Sequence, residues 1–132
     1  MGTAECRGLS VERRKHRLVD CSPRWVEDIT GVLCYLHFDC PEGHVGCSHT
    51  IPFLPTIGDH PKAYPHPHWE RRGDSFETIT LTPSIRRHPT YESREAAIAK
   101  GVLPMFLDEE SLYCAMHVNL VDGTFHFAGD SR

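Results

Sequence analysis

The sequence predicts a mainly β fold class, a small β-rich domain that carries one short helix. Several short runs alternate between apolar and polar side chains, as strands do. An Asp122-Gly123 pair, a dipeptide typical of tight hairpin turns, separates two apolar segments near the C-terminus. A chain of 132 residues corresponds to one domain. We expect a flexible basic arm over residues 1–17 and a single domain over residues 18–132.

The composition limits the function classes. Ten Pro and ten Gly residues predict short elements joined by many turns. The net charge of −4 argues against nucleic acid as the main partner, because phosphate binding needs a clustered basic surface. No apolar run approaches the ~18 residues of a membrane span, and the N-terminus has no apolar signal segment. Six cysteines without such a signal indicate a reducing compartment, so we expect a cytoplasmic location.

The clearest predicted strand covers residues 31–40. Alternate residues from Val32 to Cys40 share one apolar face, and His37 lies on the other face. A strand rises ~3.3 Å per residue, which places Cys34 and Cys40 ~20 Å apart. We therefore interpret Cys34 as a buried core thiol rather than as a metal ligand.

Three more segments are assigned from local pattern. Residues 16–21 fit a short first strand. Residues 58–73 are rich in Pro and His, and we expect an extended loop there because Pro cannot donate to a strand ladder. Residues 75–84 are rich in Thr with alternating apolar positions, which predicts a strand that ends at Pro83.

The C-terminal third predicts a helix and a hairpin. Ser93 is a suitable N-cap for a helix over residues 93–100, and Gly101 is suited to end it. Residues 112–121 and 124–128 are the expected hairpin strands on either side of the Asp-Gly turn.

Cysteine and histidine residues form two half-sites with the chemistry of a metal centre. Cys40 and Cys47 flank a turn rich in Pro and Gly, with His44 and His49 nearby. Structural zinc takes four Cys or His ligands in a tetrahedron, and small domains often supply them as two separated pairs. The six residues between the two cysteines exceed the usual two to four, which leaves His44 as a rival for one position.

The second half-site is Cys114-x-x-His117, just before the predicted hairpin. In a regular strand these two side chains would face opposite ways, so both bind only if residues 114–116 form a turn or bulge. The predicted zinc ligands are Cys40, Cys47, Cys114 and His117. Cys6 and Cys21 are not expected to be ligands.

Motifs for catalysis are sparse. The chain has no His-Glu-x-x-His, no Gly-x-Ser-x-Gly and no phosphate-binding loop. Ser84 follows a strand and a Pro, and it could pair with His117 as nucleophile and base. A plain Thr-Pro-Ser turn explains Ser84 equally well, so no catalytic residue is assigned from the sequence, and whether the metal is structural or catalytic stays open.

The order of these motifs resembles a family of small uncharacterised proteins that bacteriophages encode. The resemblance covers roughly residues 32–132 and includes the Cys-Pro turn, the Thr-Pro-Ser strand end, and Cys114 and His117 before the Asp-Gly hairpin. It implies a small β-rich zinc-binding domain. Family members often carry a second Cys two or three residues after the first, where this chain has Glu42 and Gly43. A peptidase role is implied for part of the family, and Ser84 and His117 are the matching positions.

We therefore expect a zinc-stabilised domain that acts by binding a host or phage protein. The alternative is a peptidase-like hydrolase, centred on Ser84 and His117 or on a zinc ion with an open position. A nucleic-acid accessory role for the basic arm is the weakest of the three interpretations.

Overall fold

The computed structural model describes residues 13–58 and 67–132, which form a curled seven-stranded sheet. The strands follow chain order across the sheet, and every neighbouring pair is antiparallel except β3 and β4. The strands are β1 (Arg24–Glu27), β2 (Leu33–Asp39), β3 (Ser48–Ile57), β4 (Trp69–Arg72), β5 (Thr80–Arg86), β6 (His117–Val121) and β7 (Thr124–Phe127). A short helix, α1 (Arg94–Ala99), connects β5 towards β6 together with 3-10 helices at Pro104–Phe106 and Glu110–Tyr113. The predicted mainly β fold class is confirmed.

The alternation predicted for β2 is confirmed and it organises the core. Cys34, Leu36 and Phe38 are buried, whereas the residues between them are at least partly exposed. The ring of Phe38 lies 5.2 Å from the ring of Phe125 on β7, centroid to centroid. Because β2 and β7 are five strands apart in the sheet order, this contact requires the sheet to curl around a common core.

The fifth strand differs from its prediction in both position and regularity. Residues 75–78 form a turn, and the strand begins at Thr80 and runs past Pro83 to Arg86. Leu81 pairs with Leu120 and Ile85 with Val118, so β5 advances four residues where β6 advances two. The two extra residues form a bulge, which tolerates Pro83 because the ladder is already interrupted there. The bulge ends at Ser84.

Two other expectations are wrong. The short strand expected over residues 16–21 is instead a 3-10 helix over Leu18–Cys21, because the Asp20 amide donates to the Arg17 carbonyl at 3.0 Å and closes a tight turn. The loop expected over residues 58–73 contains β4, which pairs in parallel with Phe53 and Leu54 of β3. Residues 59–66 of that loop lie outside the described residues.

The helix and the hairpin turn agree with their predictions. The Ser93 hydroxyl accepts a hydrogen bond from the Ala96 amide at 3.1 Å and caps α1. Gly123 has a φ of 71°, and a Cβ there would lie 2.5 Å from the Phe76 carbonyl oxygen, so the turn needs Gly. The first hairpin strand starts five residues later than expected, at His117, because a 3-10 helix occupies Glu110–Tyr113.

Most of the predicted basic arm, residues 1–12, lies outside the described residues. Its last residues lie against the domain. The Arg14 guanidinium pairs with Glu42, the Lys15 amide donates to the Pro41 carbonyl at 2.7 Å, and the His16 carbonyl accepts from the Phe125 amide at 2.6 Å. Within the described ranges, none of the helices combines the length and the hydropathy that a membrane crossing requires.

Truncation of Phe38 tests the central role of this core. Phe38→Ala should lower the free energy of unfolding by about 3–5 kcal/mol, because it removes a fully buried ring and leaves a cavity. Urea unfolding followed by fluorescence measures the change. Phe106→Ala is the matched control, since that ring is 44% exposed, and it should cost far less. Equal losses in the two variants would contradict the assignment of Phe38 to the core.

Candidate functional site

Four buried side chains from three parts of the chain form one cluster: Cys40, Cys47, His49 and Cys114. Cys40 directly follows β2 and Cys47 directly precedes β3, so the turn between the two strands brings them together. His49 is the second residue of β3, and its side chain lies on the same core face as the buried Ile51 two residues later. Cys114 follows the 3-10 helix that ends at Tyr113. The cluster could hold a metal ion.

Three of the six distances between ligand atoms in the cluster are close to the edges of a tetrahedral site. All four ligand atoms lie within 4.8 Å of one another. The Cys40 and Cys114 sulfurs are 3.8 Å apart, and the His49 Nε2 atom lies 3.7 Å from the Cys47 sulfur and 3.9 Å from the Cys114 sulfur. Metal bonds of zinc length, ~2.3 Å to sulfur and ~2.0 Å to nitrogen, give tetrahedral edges of about 3.8 Å and 3.6 Å. The donor set and its spacing therefore fit a divalent ion.

Close contact between the three thiols shifts their pKa values in different directions. The pKa of Cys114 is lowered because its thiolate accepts hydrogen bonds, first from Cys40 and then from Cys47. The pKa of Cys40 is raised by the hydrogen bond to Cys114, by that to Cys47 and by burial. For Cys47 the contact with Cys114 raises the pKa, but the hydrogen bonds from Cys40 and the two nearby histidines outweigh it and lower the pKa overall.

The two histidines respond to the thiolates in the same direction. Burial lowers the pKa of His49, but hydrogen bonds to Cys114 and Cys47 outweigh burial and raise it overall. Hydrogen bonds to the same two cysteines raise the pKa of His44 to about 9. Both shifts are in the direction that stabilises a protonated imidazole beside a thiolate.

Two cationic side chains lie just outside the cluster. The His44 Nδ1 atom is 3.5 Å from the Cys40 sulfur, and an Arg87 guanidinium nitrogen is 3.9 Å from the Cys47 sulfur. Three thiolates exceed the charge of one divalent ion by one negative charge, which nearby cations offset. His44, the rival that the sequence left open, lies beside the four clustered residues rather than among them.

The structure brings together three of the predicted ligands, Cys40, Cys47 and Cys114, and places the fourth, His117, elsewhere. Cys114 lies before the strand and faces the core, whereas His117 begins β6 with its side chain on the opposite, outer face. His49 occupies the position expected for His117. The period-two pattern through Ile51 and Phe53, which places His49 on the buried face, is the sequence signal that could have identified it.

On the outer face, His117 joins two other residues in a hydrogen-bonded chain. Its Nε2 atom lies 3.2 Å from the Ser84 hydroxyl oxygen, and its Nδ1 atom lies 2.8 Å from a carboxylate oxygen of Asp130. Ser84 and His117 are half-buried, and Asp130 is 54% exposed. This is the order of contacts found in Ser-His-Asp hydrolases, with hydroxyl, imidazole and carboxylate in sequence.

The sheet register explains why these three residues meet. Arg86 pairs with His117 across β5 and β6, and Ser84 lies two residues earlier, at the end of the bulge, as a diagonal neighbour of His117. Asp130 follows β7 in a turn closed by the Ser131 amide, which donates to the Ala128 carbonyl at 3.0 Å. The imidazole therefore lies between a strand bulge and a C-terminal turn.

Electrostatics at Asp130 favour the carboxylate. Its pKa is lowered, mainly by the hydrogen bond from His117, and the nearby Arg86 adds a smaller effect in the same direction. The Arg86 guanidinium lies 3.7 Å from the second carboxylate oxygen. An ionised Asp130 holds the His117 proton on Nδ1, which leaves Nε2 free to accept the Ser84 proton. Sequence reasoning paired Ser84 with His117 but did not find Asp130.

Substitution of the two histidines separates the metal cluster from the outer-face chain. His49→Ala should weaken metal affinity by more than about tenfold, because it removes a ligand from a closed site. His117→Ala should keep the affinity, because His117 lies outside the cluster. Cobalt titration followed by the absorption of the cobalt–thiolate bands measures both. Loss of metal binding in His117→Ala alone would overturn this assignment.

Metal binding should also become stronger as the pH rises. The pKa of Cys40 is raised above 9.0, so its thiol carries a proton at neutral pH and must lose it on binding. Each released proton increases the affinity about tenfold per pH unit over the range in which the group is protonated in the free protein. Calorimetry in buffers of different ionisation enthalpy, with Co²⁺ between pH 6 and pH 8, should detect at least one released proton. An affinity that is constant over this range would contradict the protonation states described above.

Comparisons of this chain with protein-family models, with curated proteins and with solved structures found no match. The resemblance to a bacteriophage family stays a prediction. The functional interpretation therefore depends on the geometry of the residues themselves.

Proposed function

We propose that this chain is a serine hydrolase that cleaves peptide or related acyl bonds, with Ser84 as nucleophile, His117 as general base and acid, and Asp130 as the group that orients His117. The single observation that carries the proposal is the continuous hydrogen-bonded chain from the Ser84 hydroxyl through both nitrogens of His117 to Asp130. Hydroxyl, imidazole and carboxylate in this order of contacts are the arrangement in which a base activates a serine and a carboxylate orients the base.

The proposed reaction begins with attack of the Ser84 oxygen on a substrate carbonyl carbon. The serine proton passes to His117 Nε2 as the new C–O bond forms, and the imidazolium then donates this proton to the leaving amine as the C–N bond breaks. Water then attacks the acyl-serine with His117 again as the base, which releases the acid and restores the serine. The Asp130 carboxylate stabilises the imidazolium in both halves of the reaction.

The proposal requires a substrate to approach Ser84 from the outer face of the sheet. Thr82 and Pro83, which precede Ser84 in the bulge, are exposed, which supports such an approach. A small cavity of about 150 Å³ beside Asp130 is lined by Arg86 and His88 but by neither Ser84 nor His117. The buried cluster of Cys40, Cys47, His49 and Cys114 belongs to the opposite, core side of the sheet. A metal there would act on the fold and would not activate water at Ser84.

We further propose that the metal is zinc and that its role is structural. Three thiolates and one imidazole are a donor set that zinc prefers over harder cations. Four protein ligands fill a tetrahedral coordination shell, as expected for a structural site, and Cys40 and Cys47 also line a surface cavity of about 720 Å³. Reduced thiols are required for this site, which fits the cytoplasmic location that the sequence predicts.

The expectation that the chain binds a host or phage protein stays a prediction. It is compatible with the hydrolase proposal, because a peptidase must also bind a polypeptide. The Ser84–His117–Asp130 geometry favours the hydrolase alternative by giving it a specific set of reacting groups.

Labelling with a fluorophosphonate probe tests the hydrolase proposal without a known substrate. The Ser84 oxygen should form a bond to phosphorus, with loss of fluoride and transfer of the serine proton to His117. Ser84→Ala should abolish labelling, and His117→Ala should slow it by about 10²–10⁴-fold, the usual contribution of a general base. Mass spectrometry of the intact chain and of its peptides measures the rate and the site.

Ser48→Ala is the matched control for this experiment. Ser48 is an exposed strand serine without a histidine-carboxylate pair among the contacts described for it, and the variant should be labelled at the wild-type rate. The hydrolase proposal is wrong if folded wild-type protein is not labelled at Ser84.

A further inference from the structure

A buried carboxylate connects the metal-binding turn to the Ser84–His117–Asp130 chain. Glu42 lies two residues after Cys40 and is only 6% exposed. The Arg14 guanidinium Nε lies 2.9 Å and 3.0 Å from its two carboxylate oxygens, which offsets the cost of burying this charge. The Ser131 hydroxyl lies 3.0 Å from one of the same oxygens.

The direction of these hydrogen bonds is fixed by the groups that make them. A carboxylate paired with a guanidinium can only accept, so the Ser131 hydroxyl donates its proton to Glu42. The Ser131 oxygen keeps its lone pairs, and it accepts the backbone N–H of His117 at 2.9 Å. The chain of donors thus runs from the His117 amide through Ser131 to Glu42.

These contacts fix the backbone of His117 on both sides. Its amide is held by Ser131, and its carbonyl accepts from the Ala128 amide at 2.9 Å. Ser131 also closes the turn that presents Asp130. Ser131 therefore contacts both sides of the pair: its hydroxyl holds the His117 amide, and its own backbone amide closes the turn that presents Asp130.

We propose that Glu42 is a positioning residue for the Ser84–His117–Asp130 chain and acts through Ser131. This inference rests on the proposed hydrolase function and deepens it, because it assigns to the metal-binding turn a part in the alignment of the reacting groups. Glu42 touches none of those groups itself. Its place is set by the turn after Cys40, where the Gly43 amide donates to the Cys40 carbonyl at 3.0 Å.

Glu42→Gln tests the inference. Ser131→Ala is a second variant, which removes the connecting hydroxyl and leaves the buried charges unchanged. Both should lower the rate constant for fluorophosphonate labelling of Ser84, by up to about 100-fold if His117 shifts by an ångström. Both should also weaken or shift the proton NMR signal of the His117 Nδ1–H that is bonded to Asp130, assigned by its absence in His117→Ala. Melting temperature and metal content are measured on the same samples.

Glu110→Gln is a matched control for the loss of a carboxylate. Glu110 also pairs with an arginine of the N-terminal segment, Arg13 at 2.6 Å, and it also contacts the metal-binding turn, through the Val45 amide at 3.1 Å. None of the contacts described for Glu110 reaches Ser131 or His117. This variant should keep the labelling rate within about twofold and leave the Nδ1–H signal unchanged.

The outcomes separate this inference from the function it rests on. An unchanged Nδ1–H signal in folded Glu42→Gln and Ser131→Ala overturns the positioning role, even if their melting temperatures fall. If Glu42→Gln does not fold, an unchanged Nδ1–H signal in Ser131→Ala still overturns the inference, because Glu42 is proposed to act through Ser131. If wild-type Ser84 is never labelled, the hydrolase proposal fails, and the claim that Glu42 positions reacting groups fails with it. An altered Nδ1–H signal in the two variants would then still show that Glu42 and Ser131 are coupled to His117.

Discussion

The structure depends on a constraint that four side chains, Cys40, Cys47, His49 and Cys114, share one small buried volume. Cys40 and Cys47 bracket the β2–β3 connection and His49 lies at the start of β3, whereas Cys114 comes from a segment 65 residues further along the chain than His49. Bare thiols at these distances compete for protons, as the opposed pKa shifts of Cys40 and Cys114 indicate. A divalent ion removes this competition, and it would join the early strands to the segment that leads into β6.

The two candidate sites lie on opposite sides of one piece of sheet. Cys114 lies before β6 on the core side, and His117 begins β6 on the outer side. Between them the chain is fixed by paired backbone bonds, in which Ala115 exchanges hydrogen bonds with Arg132. The candidate metal cluster and the Ser84–His117–Asp130 chain therefore share a backbone framework but no side chains. Glu42 and Ser131 form a second connection between them.

Local patterns predicted the local features well. The alternation in β2, the Ser93 cap and the Asp-Gly turn are each decided by neighbours within a few residues, and each was assigned correctly. Three clustered cysteines were also chosen from spacing. His49 and Asp130 were missed because their roles depend on contacts between segments distant in sequence. The bulge in β5 could not be predicted, because the register of β5 is set by its pairing with β6 and does not follow from the sequence of either strand alone.

The bulge at Thr82–Ser84 has a consequence for how this fold tolerates change. The apolar ladder of β5 stops at Leu81 and resumes at Ile85, and both residues keep their buried partners on β6. Thr82, Pro83 and Ser84 between them have no pairing partner on β6, and the first two are exposed. The proposed nucleophile, Ser84, is thus carried on a segment that the core supports, since the Trp69 indole donates a hydrogen bond to the Ser84 carbonyl at 3.2 Å. Selection could therefore change the exposed residues of the bulge while the buried ladder of Leu81 and Ile85 stays the same.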